Sequence, residues 1–141
     1  MPALQKFEVF SEHLMKGLHQ FHAAGHTLKV YLTNTAPNLA THQVKADLAE
    51  ITPQNGYPAG GVDIQNDISR AGGTTTLSGV DATITASGGS FGPFRYAVLY
   101  NNTQTSPADP LIAMWDYGSS ISVNDGESFL IDVVTSLGTQ A

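Results

Sequence analysis

The spacing of apolar residues changes once along this chain of 141 residues, close to Gly25. Before Gly25, apolar side chains recur every three or four residues, which places them along one stripe of an α-helix. After it, apolar and polar side chains alternate, the pattern of strands that bury one face. The sequence therefore predicts a helix near the amino terminus followed by a mainly β region.

The predicted helix covers residues 4–24 and is amphipathic. Its apolar stripe consists of Leu4, Phe7, Phe10, Leu14, Leu18 and Phe21. Glu12 and Lys16 lie four apart with the acid first, the favourable order for an ion pair on a helix. Gly25 is predicted to end the helix as a left-handed residue.

A helix of this length must lie along another surface, which is either the chain's own β domain or a neighbouring subunit. Both alternatives stay open. The residues expected to make the contact are Phe7, Phe10, Leu14 and Phe21.

Five alternating runs and three fully apolar runs follow the helix. The apolar members of the alternating runs are Leu28, Val30 and Leu32; Val44, Ala46 and Leu48; Val62, Ile64 and Ile68; Val80, Ala82 and Ile84; and Ile121 and Val123. Residues 94–100, 111–117 and 129–134 are apolar in both phases, as in central strands covered on two sides. The segment 124–126, Asn-Asp-Gly, predicts a hairpin turn because these residues tolerate a positive φ.

Short strands separated by Gly, Pro and Asn are typical of an antiparallel β-sandwich with jelly-roll or Greek-key topology. The strand order stays open. No internal repeat, heptad pattern or linker divides the chain. We therefore expect one structural domain, in which residues 1–26 form a helical arm and residues 27–141 form the β-sandwich.

The charge balance excludes several classes of partner. Six Lys and Arg against twelve Asp and Glu give a net charge of −6. Such a chain has no basic patch to neutralise phosphates, so neither nucleic acid nor an anionic membrane is expected as a partner. No cysteine is present, which excludes disulfides and thiolate chemistry. Neither a signal peptide nor a membrane-spanning segment is expected from the short apolar runs.

Three histidines, His19, His22 and His26, form the sharpest set of candidate metal ligands. Imidazoles three or four residues apart on a helix approach one another. The metal interpretation is disfavoured, since His26 lies beyond Gly25 and no carboxylate stands beside the set. The favoured interpretation is that they are polar residues at the helix end, where they complement the helix dipole. No metal and no other cofactor is therefore predicted.

Signatures of catalysis are missing from the sequence. The many Ser and Thr residues form neither a Gly-x-Ser-x-Gly elbow nor a Ser-x-x-Lys pattern. Asp63 and Asp67 alternate with apolar residues, which indicates the solvated face of a strand rather than calcium ligands. An enzymatic function ranks last among the interpretations.

Aromatic residues are concentrated in 91–100 and 115–117. Most of them are expected in the core. The expected exceptions are Tyr31, Trp115 and Tyr117, which are typical of subunit interfaces and of carbohydrate-binding surfaces when exposed.

Much of the chain resembles the small virion structural proteins of tailed bacteriophages that are described as head-decoration, cement or head-fibre-like proteins. The segments that carry the resemblance are the amino-terminal helix and residues 27–37, 56–61, 86–100, 111–118 and 121–129. These are turn and core patterns, so the resemblance transfers no catalytic residues.

The resemblance implies a non-enzymatic subunit on the capsid surface of the virion. Its implied partners are the major capsid protein and further copies of itself, commonly in a homotrimer, and its implied role is to stabilise the head. The alternative function is that of a tail or fibre component that binds a host surface glycan through Trp115 or Tyr31.

Overall fold

The computed structural model describes residues 4–133 and 139–140, and within these ranges the chain forms ten β-strands and one α-helix. The strands are β1 (Gln5–Lys6), β2 (Leu28–Thr33), β3 (Val62–Asp63), β4 (Asp67–Ala71), β5 (Thr74–Ser78), β6 (Ala82–Thr85), β7 (Phe91–Asn101), β8 (Leu111–Val123), β9 (Ser128–Ile131) and β10 (Thr139–Gln140). The helix α1 spans Val9–Met15, and a 3-10 turn spans Lys45–Asp47. The prediction of a mainly β chain with a helix near its amino terminus is confirmed.

The strands form three sheets in which neighbouring strands are antiparallel. The main sheet has the order β1-β8-β7-β2-β3. Two smaller sheets have the orders β10-β5-β4 and β6-β9. In the main sheet, β2 pairs along its whole length with β7, from Leu28 opposite Asn101 to Thr33 opposite Tyr96.

Both faces of the main sheet are buried, and β7 shows this directly. Ala97 and Leu99 belong to the main core, whereas Tyr96, Val98 and Tyr100 belong to a second apolar cluster. Successive side chains of a strand point to opposite faces, so the two clusters lie on opposite sides of the sheet. The prediction that the fully apolar runs are central strands is confirmed for β7 and for the first half of β8.

Different elements cover the two faces. Ile84 of β6 and Ile131 of β9 belong to the main core, so the β6–β9 sheet packs against the main sheet as a second layer. On the other side, Phe7 and Leu48 belong to the second cluster. Two sheets that share one core form a sandwich.

The helix is much shorter than predicted, seven residues instead of residues 4–24. Gln5 and Lys6 form an edge strand of the main sheet, where they pair with Met114 and Ala113 of β8. Pairing with the sheet edge satisfies their backbone groups and outweighs the helical pattern of the side chains.

The helix ends at Met15, and the left-handed residue that follows its end is Gly17 rather than Gly25. Gly17 has a φ of 75°. Its N–H donates to the Leu14 carbonyl (3.1 Å), and the Leu18 N–H donates to the His13 carbonyl (3.0 Å). These two bonds form a Schellman motif, the usual left-handed end of a helix. The prediction that Gly25 takes the left-handed conformation is wrong.

The strand predicted for Val44, Ala46 and Leu48 is also wrong, because this segment forms the 3-10 turn. The Asp47 carboxylate accepts hydrogen bonds from the backbone N–H groups of Gln43 (2.8 Å) and Val44 (3.1 Å). An aspartate that binds nearby backbone groups favours a local turn over a sheet ladder.

The run that contains Val62, Ile64 and Ile68 is divided into β3 and β4. The backbone turns between them, where Gln65 has a φ of 49° and the Asn66 side chain is buried. Ile64 is buried as expected, but Ile68 is exposed. β4 pairs instead with β5, a strand of three threonines that the alternation of apolar residues did not reveal.

The predicted turn after Val123 forms, but it does not close a hairpin. The Glu127 N–H donates to the Asn124 carbonyl (2.9 Å), and Gly126 has a φ of 86°. The strands on its two sides pair with different partners, since β8 pairs with β7 and β9 pairs with β6. The turn therefore carries the chain from one sheet to the other. The strand predicted over 129–134 ends at Ile131, and position 134 lies outside the described residues. The prediction that it is a central strand covered on two sides is wrong, because β9 belongs to the two-stranded β6–β9 sheet and Leu130 is exposed.

Candidate functional site

The segment after α1 carries the three histidines that the sequence singles out. His19 is buried (8% exposed), His26 is half-buried and His22 is exposed. The sequence reasoning missed His13 of α1, which is also buried (4% exposed) and whose ring centre lies 6.1 Å from that of His19. We call His13, His19, His26 and the side chain of Asn101 the histidine cluster.

Asn101, the last residue of β7, joins two of the histidines. Its Nδ2 lies 3.0 Å from Nδ1 of His19 and 2.8 Å from Nδ1 of His26. Its Oδ1 accepts hydrogen bonds from the backbone N–H groups of Thr103 (3.0 Å) and Gln104 (3.1 Å). Asn101 is fully buried, so one amide connects the amino-terminal segment to the centre of the main sheet.

A second asparagine holds the backbone of the same segment. Asn66 donates from Nδ2 to the carbonyls of Phe21 and His26, both at 2.9 Å. Its Oδ1 accepts from the Leu28 N–H at 2.9 Å. The Asp67 carboxylate accepts from the Ala23 N–H at 3.1 Å. Side chains from the β3–β4 region therefore satisfy the polar backbone of a loop that has no regular secondary structure of its own.

Two phenyl rings enclose His19. Its ring centre lies 5.5 Å from that of Phe10 and 5.3 Å from that of Phe21, and both phenylalanines pack against the main core. Burial lowers the pKa of His19 to about 4 and also lowers the pKa of His13, because the charged imidazolium is poorly solvated there. Nδ1 of His13 and Nε2 of His19 are buried without a hydrogen-bond partner.

The structure does not bring His19, His22 and His26 together as a metal-binding triad. Nδ1 of His19 and Nδ1 of His26 accept from Asn101, which leaves the proton of each neutral ring on Nε2. A protonated nitrogen binds a metal only after it loses its proton. Within residues 4–133, no three side chains of His, Asp or Glu are placed to hold a metal ion.

The other sequence-based interpretation of these histidines is wrong. Because α1 ends at Met15, none of the three lies in its last turn, so they do not complement the helix dipole. His19 and His26 contact the side chain of Asn101 of the β domain instead.

A second polar cluster surrounds Glu50. Its carboxylate accepts hydrogen bonds from the Tyr57 hydroxyl (2.7 Å), the Gly60 N–H (2.8 Å) and the Lys45 ammonium (2.9 Å). The Lys45 ammonium also lies 4.9 Å from the centre of the Tyr31 ring. Burial raises the pKa of Tyr31 and Tyr57 far above the usual range, so both hydroxyls stay protonated. The cluster ties a long loop to the main sheet.

The aromatic residues expected at an interface lie mostly inside the domain. Tyr31 and Trp115 are fully buried, in the second cluster and the main core respectively. Tyr117 is half-buried, and its ring lies edge-on to that of Phe129 at 5.4 Å. The expectation that Tyr31 and Trp115 are exposed is wrong, because both faces of β2 and of this part of β8 are covered. The Tyr31 and Trp115 rings are therefore not available on the surface to bind a glycan.

The apolar stripe of the amino-terminal segment docks on the chain's own β domain. Phe7 is fully buried in the second cluster, while Phe10 and Phe21 pack against the main core. Leu14 is half-buried. Of the two alternatives that the sequence leaves open, the structure shows packing within the chain for Phe7, Phe10 and Phe21.

Four large apolar side chains remain exposed within the described ranges. They are Met15 (88% exposed), Ile68 (42%), Val80 (50%) and Leu130 (51%). Ile68 lies in β4, Val80 precedes β6 and Leu130 lies in β9, so these three belong to the small sheets or to the connection between them. We call Ile68, Val80 and Leu130 the outer apolar residues. Their exposure was not predicted, since each belongs to an alternating or apolar run that indicates burial.

No helix in the described part of the chain has the length and apolar character needed to cross a membrane. No protein-family model, no curated protein and no solved structure matches this chain.

Proposed function

We propose that this protein is a non-enzymatic decoration protein of a bacteriophage head, which binds the lattice of the major capsid protein and stabilises the shell. The observation that carries the proposal is the position of the outer apolar residues. Ile68, Val80 and Leu130 keep between two-fifths and half of their surface in water although the core buries most other large apolar side chains. Exposed apolar side chains favour a protein partner where they form a continuous patch.

The small sheets also suit a docking role because of their shape. All five residues of β4 are exposed, and β4 pairs with β5 in a hairpin. β5 is half-buried and its Leu77 packs against the main core, so it is the exposed strand β4 that would gain stability against a partner. The scarcity of charge, 13% of the chain, fits the charge-poor centre of such an interface.

The resemblance supplies the identity of the partner. Residues 86–100 and 111–118, which carry much of it, include most of β7 and the first part of β8, where they build both apolar clusters. The features shared with decoration proteins are therefore those that set the fold. Binding to the capsid and assembly into a homotrimer follow from that likeness as part of the proposal.

Location in the particle tests the proposal first. Gradient-purified phage that encodes this protein is separated into heads and tails, and the protein is quantified in each fraction by mass spectrometry. We expect many copies per head and none in tails. Recovery in tails alone would overturn the head assignment in favour of a tail or fibre component, and absence from both fractions overturns both virion assignments.

Variants of the exposed residues test the surface. We expect Ile68→Glu and Val80→Glu to reduce co-sedimentation with capsids that lack the protein by at least tenfold, while the circular dichroism spectrum stays unchanged. Met15→Glu is the matched control, since Met15 is an exposed apolar residue outside the small sheets. Loss of binding in the control alone would contradict the assignment of the surface.

The stabilising role and the oligomer have separate tests. Heads without this protein should break at a lower temperature, or after a smaller osmotic shock, than heads to which purified protein has been added back.

Analytical ultracentrifugation of the purified protein should show a trimer, and a monomer at all concentrations would remove the homotrimer from the proposal.

A further inference from the structure

The orientation of the Asn101 amide is determined by its neighbours. The backbone N–H groups of Thr103 and Gln104 can only donate, so the atom that faces them must be the carbonyl oxygen. Nδ2 therefore faces the histidines, and turning the amide over would set its NH₂ group against two N–H groups. Because Asn101 is fully buried, no water can relieve that contact.

This orientation selects one proton position on each of two histidines. Nδ2 donates one hydrogen to Nδ1 of His19 and the other to Nδ1 of His26. The backbone N–H of Gln20 also points to Nδ1 of His26, at 3.3 Å. Both Nδ1 atoms must therefore be acceptors, and each neutral ring carries its proton on Nε2.

Protonation of either ring is incompatible with this arrangement. An imidazolium bears a hydrogen on both nitrogens, so N–H of the ring would face N–H of Asn101. The contact then changes from a hydrogen bond into a repulsion between two donors. Relief requires that His19 or His26 move away from Asn101, and both histidines belong to the segment that follows α1.

Charged groups near the cluster are few. From α1, Glu12 and Lys16 act on His13, but they form an exposed ion pair with each other at 3.0 Å. From the β3–β4 region, Asp63 and Asp67 line a shallow depression together with His26. A positive charge on His13 or His26 would oppose the protonation of His19. The hydrogen bonds that the structure shows for the His19 ring involve no carboxylate.

We propose that the histidine cluster is an acid-sensitive latch, which holds residues 16–27 against the β domain while His19 is neutral and releases them when His19 is protonated. Burial lowers the pKa of His19 to about 4, below the ordinary value of 6.5. A histidine with a lowered pKa in the docked form binds protons more readily after release. Docking is therefore strongest above about pH 6.5 and weakens by up to roughly tenfold per pH unit, through His19, as the pH falls from 6.5 towards 4.

Release has a defined structural result. The Phe21 ring stacks on His19, the Phe10 ring lies tilted beside it, and both phenylalanines pack against the main core. When His19 withdraws from Asn101, these rings lose their cover and an apolar part of the main core is exposed. The latch goes beyond the proposed function, since it is a property of the isolated chain at any location.

Nuclear magnetic resonance of the full chain tests the proton positions. Long-range ¹H–¹⁵N spectra at pH 7.5 should show the rings of His19 and His26 protonated on Nε2 and free on Nδ1. A ring protonated on Nδ1 at either position would overturn the proposal, because Asn101 could not then be its donor.

Hydrogen exchange across pH 7.5 to 4.5, corrected for the intrinsic rates, tests the release. We expect the protection of the backbone N–H groups of Ala23 and His26 to fall at least tenfold more than that of β7. His22→Gln is the control, since His22 is exposed and lies in the same segment; it should leave the midpoint unchanged. Equal loss of protection in the segment and in β7 would overturn the latch.

Asn101→Asp reverses the expected sign. A carboxylate at this position still accepts from Thr103 and Gln104, but its second oxygen now favours a protonated His19. That raises the pKa of the histidine in the docked form, so the segment should be better protected at pH 5 than at pH 7.5. An Asn101→Asp protein that folds and keeps the wild-type direction would contradict the proposal, and if this variant does not fold, the measurements on the wild-type chain and on His22→Gln decide.

Discussion

Glu50 shows how one side chain can hold a large loop. Its carboxylate receives hydrogen bonds from Tyr57, Gly60 and Lys45, and little of it is open to water. Removing such an acceptor leaves a partly buried ammonium, a hydroxyl and a backbone N–H without their partner.

We therefore expect Glu50→Ala to lower the free energy of unfolding by about 3 kcal/mol, measured by urea denaturation. Glu50→Gln retains one acceptor oxygen and should cost less. Equal stability of the Glu50→Ala and wild-type proteins would mean that the three contacts contribute nothing net.

Gly61 marks a close approach between two parts of the backbone. It has a φ of 84°, and a Cβ atom at this position would overlap the Val30 carbonyl. We expect Gly61→Ala to lower the free energy of unfolding by at least about 3 kcal/mol in the same measurement. Gly72→Ala is the control, since Gly72 also has a positive φ but open space around it, and it should cost about 1 kcal/mol. A similar loss in both variants would show that strain, not the overlap, decides.

At this scale the sequence predicts the burial of many apolar side chains, but it does not predict which polar side chains form hydrogen bonds with each other or with distant backbone groups. His19 and Asn101 are 82 residues apart, and nothing in the local pattern relates them. Asn66 is another example, since an asparagine beside a turn predicts a local contact, whereas its side chain binds backbone groups 38 to 45 residues away. Such partners are set by the topology of the sheet.

Among the elements, the amino-terminal segment departs most from its prediction. The apolar stripe was identified correctly as a buried surface, but the backbone under it forms a strand, a short helix and a loop. The spacing of apolar residues indicates which side chains are buried. A segment made of a strand, a short helix and a loop can bury the same side chains as one continuous helix. Gly17 lies in the middle of the stripe, and glycine is a poor helix former. This residue indicates an interruption of the helix that the spacing of the apolar residues does not show.

The burial of Phe7 gives this element a test. Phe7 lies directly after β1 and is fully enclosed in the second cluster. We expect Phe7→Ala to reduce the free energy of unfolding by about 3–5 kcal/mol. Leu14→Ala, at a half-buried position of the same stripe, should cost about 1 kcal/mol. A small effect of Phe7→Ala would indicate that the segment is not docked on the domain in solution.

On the scale of the whole molecule, stability is concentrated in the main sheet. β7 and the first half of β8 are buried on both faces, whereas every residue of β4 is exposed. Runs that are apolar in both phases predicted the central position of β7 and β8, but the same pattern over 129–134 gives β9, which lies in a two-stranded sheet. It did not predict the strand order, since β2 pairs with β7 across more than sixty residues of chain.

Hydrogen exchange at neutral pH should reproduce this gradient. We expect the backbone N–H groups of β7 to exchange only by global unfolding, and those of the β4–β5 hairpin to exchange at least a hundredfold faster. Uniform protection of all strands would show that the small sheets are as firmly held as the main one.

Because both faces of the main sheet are covered, the sequence of its central strands is restricted during evolution. Substitutions in β7 must suit two cores at once, because neighbouring residues face opposite clusters, while the small sheets and turns meet no such restriction. We expect relatives to lose overall identity quickly and yet to retain a stretch of apolar residues in both phases at β7 and β8. A family built in this way is traced by the pattern of one pair of strands rather than by the similarity of its whole sequence.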